Sequence, residues 1–332
     1  MIKIVSTIGL STVQDLGRDQ NYRHGVSIGG AMDRLALALG NALLGNPEGA
    51  ASIEATLYPF KIEFLSDMDC AVTGADSSAD LDGQRLPTNW AFKAKQGQVL
   101  TLNRLVSGSF AYIALRGGID VPEILGSRAT HLRCTFGGYE GRMLKPGDIL
   151  NADRPQQNAR TLPEGGFGAE SPQTALTAPK SLYHSDSGIT LMRYLPAAEH
   201  PHFDDTSLKD LVQTPWQITP QSSRAGFRLS GPTLRLKETL EMRSHGIVPG
   251  VIQVPPGGAP IVQTADSQTS GGYPKIGTVI EPDLWRLAQT RIGSNIQFVE
   301  TTYAEAIAAH REMQAYLANV RSLTETYRDF LQ

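Results

Sequence analysis

Cysteine is almost absent from this 332-residue chain: Cys70 and Cys134 are the only two, and without a C-x-x-C spacing they indicate neither a disulfide framework nor a zinc site. Long hydrophobic runs are missing as well. Nowhere do eighteen apolar residues follow one another, and Met1-Ile2-Lys3-Ile4-Val5 is a short strand-like run without the apolar region of a signal peptide. These features predict a cytoplasmic protein with no membrane partner. Neither sign of charge is in surplus: 30 basic against 33 acidic residues leave a net charge of -3, which argues against a general nucleic-acid partner because no excess of Lys or Arg can neutralise phosphates. No Walker A sequence occurs, so nucleotide phosphates would have to meet other glycine-rich loops.

What the chain has in quantity is turn chemistry. Its 33 glycines and 20 prolines punctuate short β-type runs, and a chain 40% hydrophobic at this length makes two globular lobes. The prediction is a mainly β protein with a few helices. Asp33 caps a helix whose stripe is Leu35, Leu39, Ala42 and Leu43, and Gly45 stops it. A short helix over 283–289 follows Pro282. A long one over 303–330 carries Ile307, Met313, Leu317, Val320, Leu323 and Tyr327 on its expected packing face. Turns feed strands at 97–102, 146–150 and 293–298, a rhythm that hints at two related barrels. Between Ala152 and Pro179 apolar periodicity is lost, so the expected division is a first lobe over 1–151, a linker or surface loop over 152–179, a second lobe over 180–300 and a terminal helix over 301–332.

Polar chemistry is densest between Ser244 and Gln289. Val251–Val254 and Pro260–Ala265 flank Pro256-Gly257-Gly258 and read as a hairpin. The second strand runs into Asp266-Ser267-Gln268-Thr269-Ser270-Gly271-Gly272-Tyr273-Pro274, which puts a carboxylate, an amide, hydroxyls and a phenol beside two flexible glycines. Such a loop can wrap a small polar ligand, with Gly271 and Gly272 letting backbone N–H groups approach an anion; read alone, it is more simply a solvated turn. His245 precedes the hairpin and is a candidate acid, base or anion donor near neutral pH. Asp266, directly after an apolar strand, is a candidate for proton transfer, and Gln268 and Tyr273 complete the catalytic candidates.

Further polar clusters lie in the first half. Asp15 and Arg18 are three apart, Gly29-Gly30-Ala31-Met32-Asp33 leads into the first helix, and Glu54 sits on a strand face. Arg116 and Arg128 stand beside glycine turns, as suits carboxylate or phosphate recognition, with surface ion pairs as the plain alternative. His200-Pro201-His202 lies near Asp204 and Asp205 but lacks a third ligand at defined spacing, and no metal site is assigned. Gly25-Val26-Ser27-Ile28-Gly29 fits G-x-S-x-G without the apolar strand that a nucleophile elbow needs.

The order of these blocks carries more than any one of them. The runs 13–18, 29–33 and 116–122, Gly126-Ser127-Arg128, Gly137-Gly138, Gly141-Arg142, Ser223-Arg224, Ser244-His245-Gly246, Gln253-Val254-Pro255 and 266–274 occur as in the carboxyltransferase-domain family that includes KipA and allophanate hydrolase subunit 2. The chain resembles that family from about Ile4 to Val299, and within it is most similar to the 5-oxoprolinase form. It departs at Ala225, Ala129 and Tyr58, which changes packing more than chemistry. The resemblance implies two cyclophilin-like β-barrel lobes with a cleft between them. It also implies partners, the KipI-like B-type and the A-type subunits of 5-oxoprolinase, which together open 5-oxoproline to L-glutamate with ATP and Mg2+. Phosphorylation of the amide oxygen would make the ring carbonyl electrophilic. Binding roles would then fall to Asp15, Arg18, Asp33, Glu54, Arg116, Arg128, Arg224, Gln253, Thr269, Gly271 and Gly272. Two alternatives come with the same resemblance. One is the carboxyltransferase part of a urea carboxylase-type enzyme; this chain has no biotin-accepting Met-Lys-Met and would carry no covalent biotin itself. The other is a non-enzymatic KipA-like partner of a KipI-type kinase inhibitor.

Overall fold

The computed structural model describes residues 1–153, 162–176 and 188–330. The chain divides into two compact units, one formed by Met1–Arg18, Gly29–Ala175 and Gln314–Gln332, the other by Asp19–Ile28 and Leu176–Met313.

In the first unit, strands form a seven-stranded and a six-stranded sheet. Period-two alternation turns Ile2 and Ile4, then Phe60, Ile62 and Phe64, inward from the first sheet, where they share one core with Ile53, Val72, Phe92 and Ile113 of the second. The predicted Arg34–Leu44 helix packs on the second sheet, and its ends are those its sequence signals: Asp33 accepts from the Ala36 N–H, and Gly45 is left-handed at φ 69°.

The second unit is a closed seven-stranded barrel, in the order Thr190–Pro196, Lys275–Val279, Val251–Gln253, Ile261–Gln263, Gly226–Ser230, Trp216–Ile218 and Asn295–Glu300. Every pairing is antiparallel except the last, where Asn295–Glu300 runs parallel to Thr190–Pro196 and shuts the ring. The hairpin around Pro256-Gly257-Gly258 is present, with Ile252 opposite Val262. Asp283, fully buried, accepts from the Arg193 backbone N–H at 2.9 Å, from its Nε at 3.0 Å and from its Nη2 at 2.6 Å, fastening the turn before the Leu284–Gln289 helix to the first barrel strand.

Four details differ from the sequence expectation. Residues 19–28, expected in the first lobe, belong to the barrel unit. They leave and return at one point, because Ala31 N donates to Asp15 O at 2.8 Å and a Cβ on Gly30 (φ 82°) would lie 2.6 Å from Gly17 N. The stretch 152–179 is also not a bare loop where it is described: Leu162 is buried, Phe167–Gly168 adds a strand against Trp90–Ala94, and Pro172–Ala175 is a helical turn. Residues 154–161 and 177–179 lie outside the described residues. The terminal helix spans Tyr303–Phe330 as read, but its buried side is Ala309, Met313, Leu317, Val320 and Thr324, while Ile307, Leu323 and Tyr327 are exposed. A missed helix, Asp205–Gln213, is capped by Asp204, which accepts from the Ser207 N–H at 2.7 Å.

Candidate functional site

The candidate residues divide between the two units. In the first, the acidic members are held by the backbone around the start of a helix. Glu54 Oε2 accepts from the Met32 N–H at 2.8 Å and from the Tyr112 hydroxyl at 2.7 Å; that hydroxyl in turn accepts from the Asp33 N–H at 2.8 Å. Burial, together with the neighbouring Glu54 and Asp33 carboxylates, pushes the Tyr112 phenol well up. Asp15 Oδ1 accepts from the Gly17 N–H and the Ser127 hydroxyl, both at 2.7 Å, and Oδ2 from the Arg128 N–H. Asp15, Asp33 and Glu54 thus organise the turns at 15–17, 31–36 and 127–128.

The arginines of this unit are engaged as well. Arg18, almost wholly buried, donates to Ala129 O at 2.6 Å and lies over the Phe136 ring at 4.9 Å. Arg116 pairs with Asp69, and Arg128 with Asp153 at 3.0 Å while donating to Ile119 O. Ion pairing, largely buried at Arg116–Asp69 and partly exposed at Arg128–Asp153, describes these two arginines better than an open anion cradle. An apolar groove along the terminal helix, lined by Leu43, Phe167, Tyr316, Val320, Leu323 and Tyr327, holds none of the candidates.

In the barrel unit the structure brings the polar loop together with residues far away in sequence. Arg224 forks Asp266, Nε to Oδ2 at 2.8 Å and Nη2 to Oδ1 at 3.1 Å, and the Asp266 N–H donates to Arg224 O. Each carboxylate oxygen of Asp266, the candidate for proton transfer, therefore accepts one hydrogen bond from the Arg224 guanidinium. The 19–28 segment clasps the same loop: Tyr22 donates from its hydroxyl to Thr269 O at 3.0 Å and Ser27 to Ser267 O at 2.8 Å. Ser27, the middle of the G-x-S-x-G match, follows a 3-10 turn and holds a loop.

Past that clasp, Ser270–Gly271 pairs with His245–Gly246 as a two-stranded ribbon, His245 opposite Gly271. Gln253 is buried; its Oε1 accepts from Gln263 Nε2 at 3.0 Å, and its own Nε2 would be 2.6 Å from a Cβ on Gly271, so a side chain there would displace the end of the Gln253 amide. Gly272 faces Ser244, while Gln268 and Tyr273 are exposed on the same loop. His245 donates from Nδ1 to Arg243 O at 2.9 Å, which leaves Nε2 with the lone pair in the neutral ring. Nε2 is turned toward Glu199 Oε1 at 3.9 Å, and Lys275 Nζ approaches the same oxygen at 3.8 Å.

Glu199 and Lys275 were not legible as site residues. Lys275 directly follows the Gly-Gly-Tyr-Pro block, so reading that block one residue further would have found it; Glu199 has no local signal and arrives only because the barrel closes. Among the described residues, no group of three or more His, Cys, Asp or Glu side chains could hold a metal ion, and both cysteines are free thiols. No described helix is long and apolar enough to cross a membrane.

A closed barrel bearing a glycine-rich polar loop, its carboxylate forked by an arginine and its ribbon carrying a histidine beside a glutamate and a lysine, matches a known class. The family model for the carboxyltransferase domain, subdomain A and B, covers residues 24–300, and the chain belongs to this family. It is 39% identical over 316 residues to the 5-oxoprolinase C-type subunit of Escherichia coli strain K12, covering 95% of this chain and 96% of that one. It is 38% identical to the corresponding 5-oxoprolinase C-type subunit of Haemophilus influenzae, covering 98% and 99%. Among solved structures, the K. lactis urea amidolyase superposes with a TM-score of 0.83 at 29% identity, over 96% of this chain and 20% of that one. The chain thus spans one fifth of that enzyme.

Proposed function

We propose that this chain is the C-type subunit of a cytoplasmic, ATP-dependent 5-oxoprolinase that opens 5-oxoproline to L-glutamate together with its KipI-like B-type and its A-type partners. The observation that carries this reading is the 39% identity to a 5-oxoprolinase C-type subunit, spread over nearly the whole of both chains. Opening a lactam adds a water oxygen to the ring carbonyl carbon, breaks the C–N bond and puts a proton on the departing nitrogen, so the site needs a proton carrier and donors for the carbonyl oxygen. His245 supplies the imidazole. The Gly271-Gly272 backbone, Thr269 and Gln253 are the groups to hold a small polar ring, with Gln268 and Tyr273 exposed beside them. The Arg224–Asp266 fork orients the loop.

ATP with Mg2+ is the proposed cofactor of the assembled complex, where it would activate the lactam carbonyl. On this chain the candidate arginines fit phosphate poorly: Arg18, Arg116, Arg128 and Arg224 each meet an internal acceptor. Phosphate contacts are accordingly assigned to the partner subunits. The test is turnover of 5-oxoproline and ATP, measured as glutamate formed, by the purified chain alone and with its B-type and A-type partners. The chain alone should be nearly inactive and the complex active. Full turnover by the isolated chain, or none by the complex, would overturn the proposal.

A second reading, the carboxyltransferase component of a biotin-dependent urea carboxylase, is favoured by the superposition on the K. lactis urea amidolyase. It predicts urea-dependent loss of carboxyl groups from carboxybiotin on a separate carrier, and the same purified complex distinguishes the two.

A further inference from the structure

The Glu199, His245 and Lys275 side chains converge from three separate parts of the barrel unit. Glu199 lies in the turn after the first barrel strand, His245 on the two-stranded ribbon and Lys275 at the start of the strand that follows the polar loop. Glu199 Oε1 is shared, 3.9 Å from His245 Nε2 and 3.8 Å from Lys275 Nζ. Both separations exceed a hydrogen bond, and among the described residues Glu199 Oε2 and His245 Nε2 are shielded from solvent without a hydrogen-bond partner. Buried polar atoms are ordinarily hydrogen-bonded, so two shielded atoms left without a partner at one spot mark it out as a place where charge or a proton is handled. The side chains are 36% (His245), 14% (Glu199) and 14% (Lys275) exposed, so the imidazole is the most exposed of the three although its Nε2 is itself shielded.

We propose that Glu199 and Lys275 are positioning residues that set the protonation of His245, Glu199 by favouring the imidazolium and Lys275 by drawing on the same carboxylate. Nδ1 is anchored on Arg243 O, so a proton gained by the ring goes to Nε2, the nitrogen turned to Glu199. Among the described residues, the ring's ion-pair partner is Glu199, whose Oε1 Lys275 shares; the Arg243 side chain, two residues away on the same segment, is exposed. Glu199 alone would hold the proton firmly. With Lys275 competing for Oε1 that hold weakens, and the imidazole can both release and regain a proton near neutral pH.

The inference rests on reading His245 as the proton carrier of the lactam-opening site, but its first test does not need turnover. In the full-length chain, histidine-selective carbon labelling follows the His245 ring through a pH titration, with His245→Asn used to assign the signal. Glu199→Gln should lower the His245 midpoint and Lys275→Met should raise it, each by about one pH unit. Midpoints that stay within ~0.2 pH units of wild type, or that move in the same direction in both variants, overturn the inference. A merely structural role moves thermal stability in both variants without opposite titration shifts. In the assembled complex, the acid limb of the kcat/KM profile should follow the same two shifts. If the ring titrates as expected and the profile does not follow, the assignment of His245 to lactam opening fails while the coupling to Glu199 and Lys275 stands.

Discussion

Replacing Asp266 with Asn separates an organising role for the polar loop from a proton-transfer role. The wild-type carboxylate accepts two charge-assisted hydrogen bonds from Arg224, at 2.8 and 3.1 Å, and the two side chains are only 17% (Arg224) and 12% (Asp266) exposed. An exposed ion pair contributes about 0–1 kcal/mol, and breaking a buried one costs about 3–5 kcal/mol. This pair lies between those limits and nearer the second. Asn keeps one acceptor for the guanidinium fork but turns an NH2 group toward the other N–H, so one bond is lost and the survivor is no longer between charges. The expected destabilisation is about 2–3 kcal/mol. For a unit of this size that corresponds to a fall of about 5–10 °C in Tm, read by calorimetry on the isolated chain. Arg224→Met should cost a similar amount, and the double variant should lose less than the sum by about 1–2 kcal/mol, because the partners share one interaction. Turnover of the complex assembled with Asp266→Asn should fall in step with the folded fraction and recover on cooling. An unchanged Tm together with abolished turnover would refute this reasoning and return Asp266 to direct proton transfer.

Two further outcomes follow from the same geometry. Asp283→Ala should destabilise the barrel unit by about 3–5 kcal/mol, seen as a lowered urea midpoint, because it strips the Arg193 backbone N–H and guanidinium, and the Arg286 guanidinium, of a fully buried carboxylate; a midpoint within error of wild type would refute it. The Thr302 N–H, with the Thr301 and Thr302 hydroxyls, holds the Glu305 carboxyl below its ordinary value. A depressed folded value means the contribution is present above the ordinary value and lost as pH falls through the folded one, so Glu305→Gln should flatten the decline of Tm between about pH 5 and about pH 3, and an unaltered slope would exclude the capping role.

Much of the local architecture was legible in the chain because its causes are local. Asp33 and Gly45 bound a helix through their own caps, Pro256-Gly257-Gly258 turns a hairpin between two β-branched runs, and the Tyr303–Phe330 helix was read to its ends. The inward side of that last helix was legible only in part, at Met313, Leu317 and Val320. Leu323 and Tyr327 fit a helical stripe yet are exposed, whereas Thr324 is buried, because the side a helix buries depends on what it packs against.

The candidate site divides the same way. Its loop could be found from composition, since Asp266 to Pro274 concentrates more hydrogen-bonding groups than a turn requires. The partners of its charges could not. Arg224 is 42 residues from Asp266 and Arg116 is 47 from Asp69, and each pair exists only because strand register sets it down there. The 19–28 clasp and the meeting of Glu199, His245 and Lys275 depend likewise on which unit a segment joins and on the closure of the barrel. Residue types and turn chemistry determined where polar groups would collect along this chain. Only the tertiary structure decided which carboxylates and guanidinium groups neutralise one another, because ion pairing follows distance in space and no short-range period in the sequence encodes it.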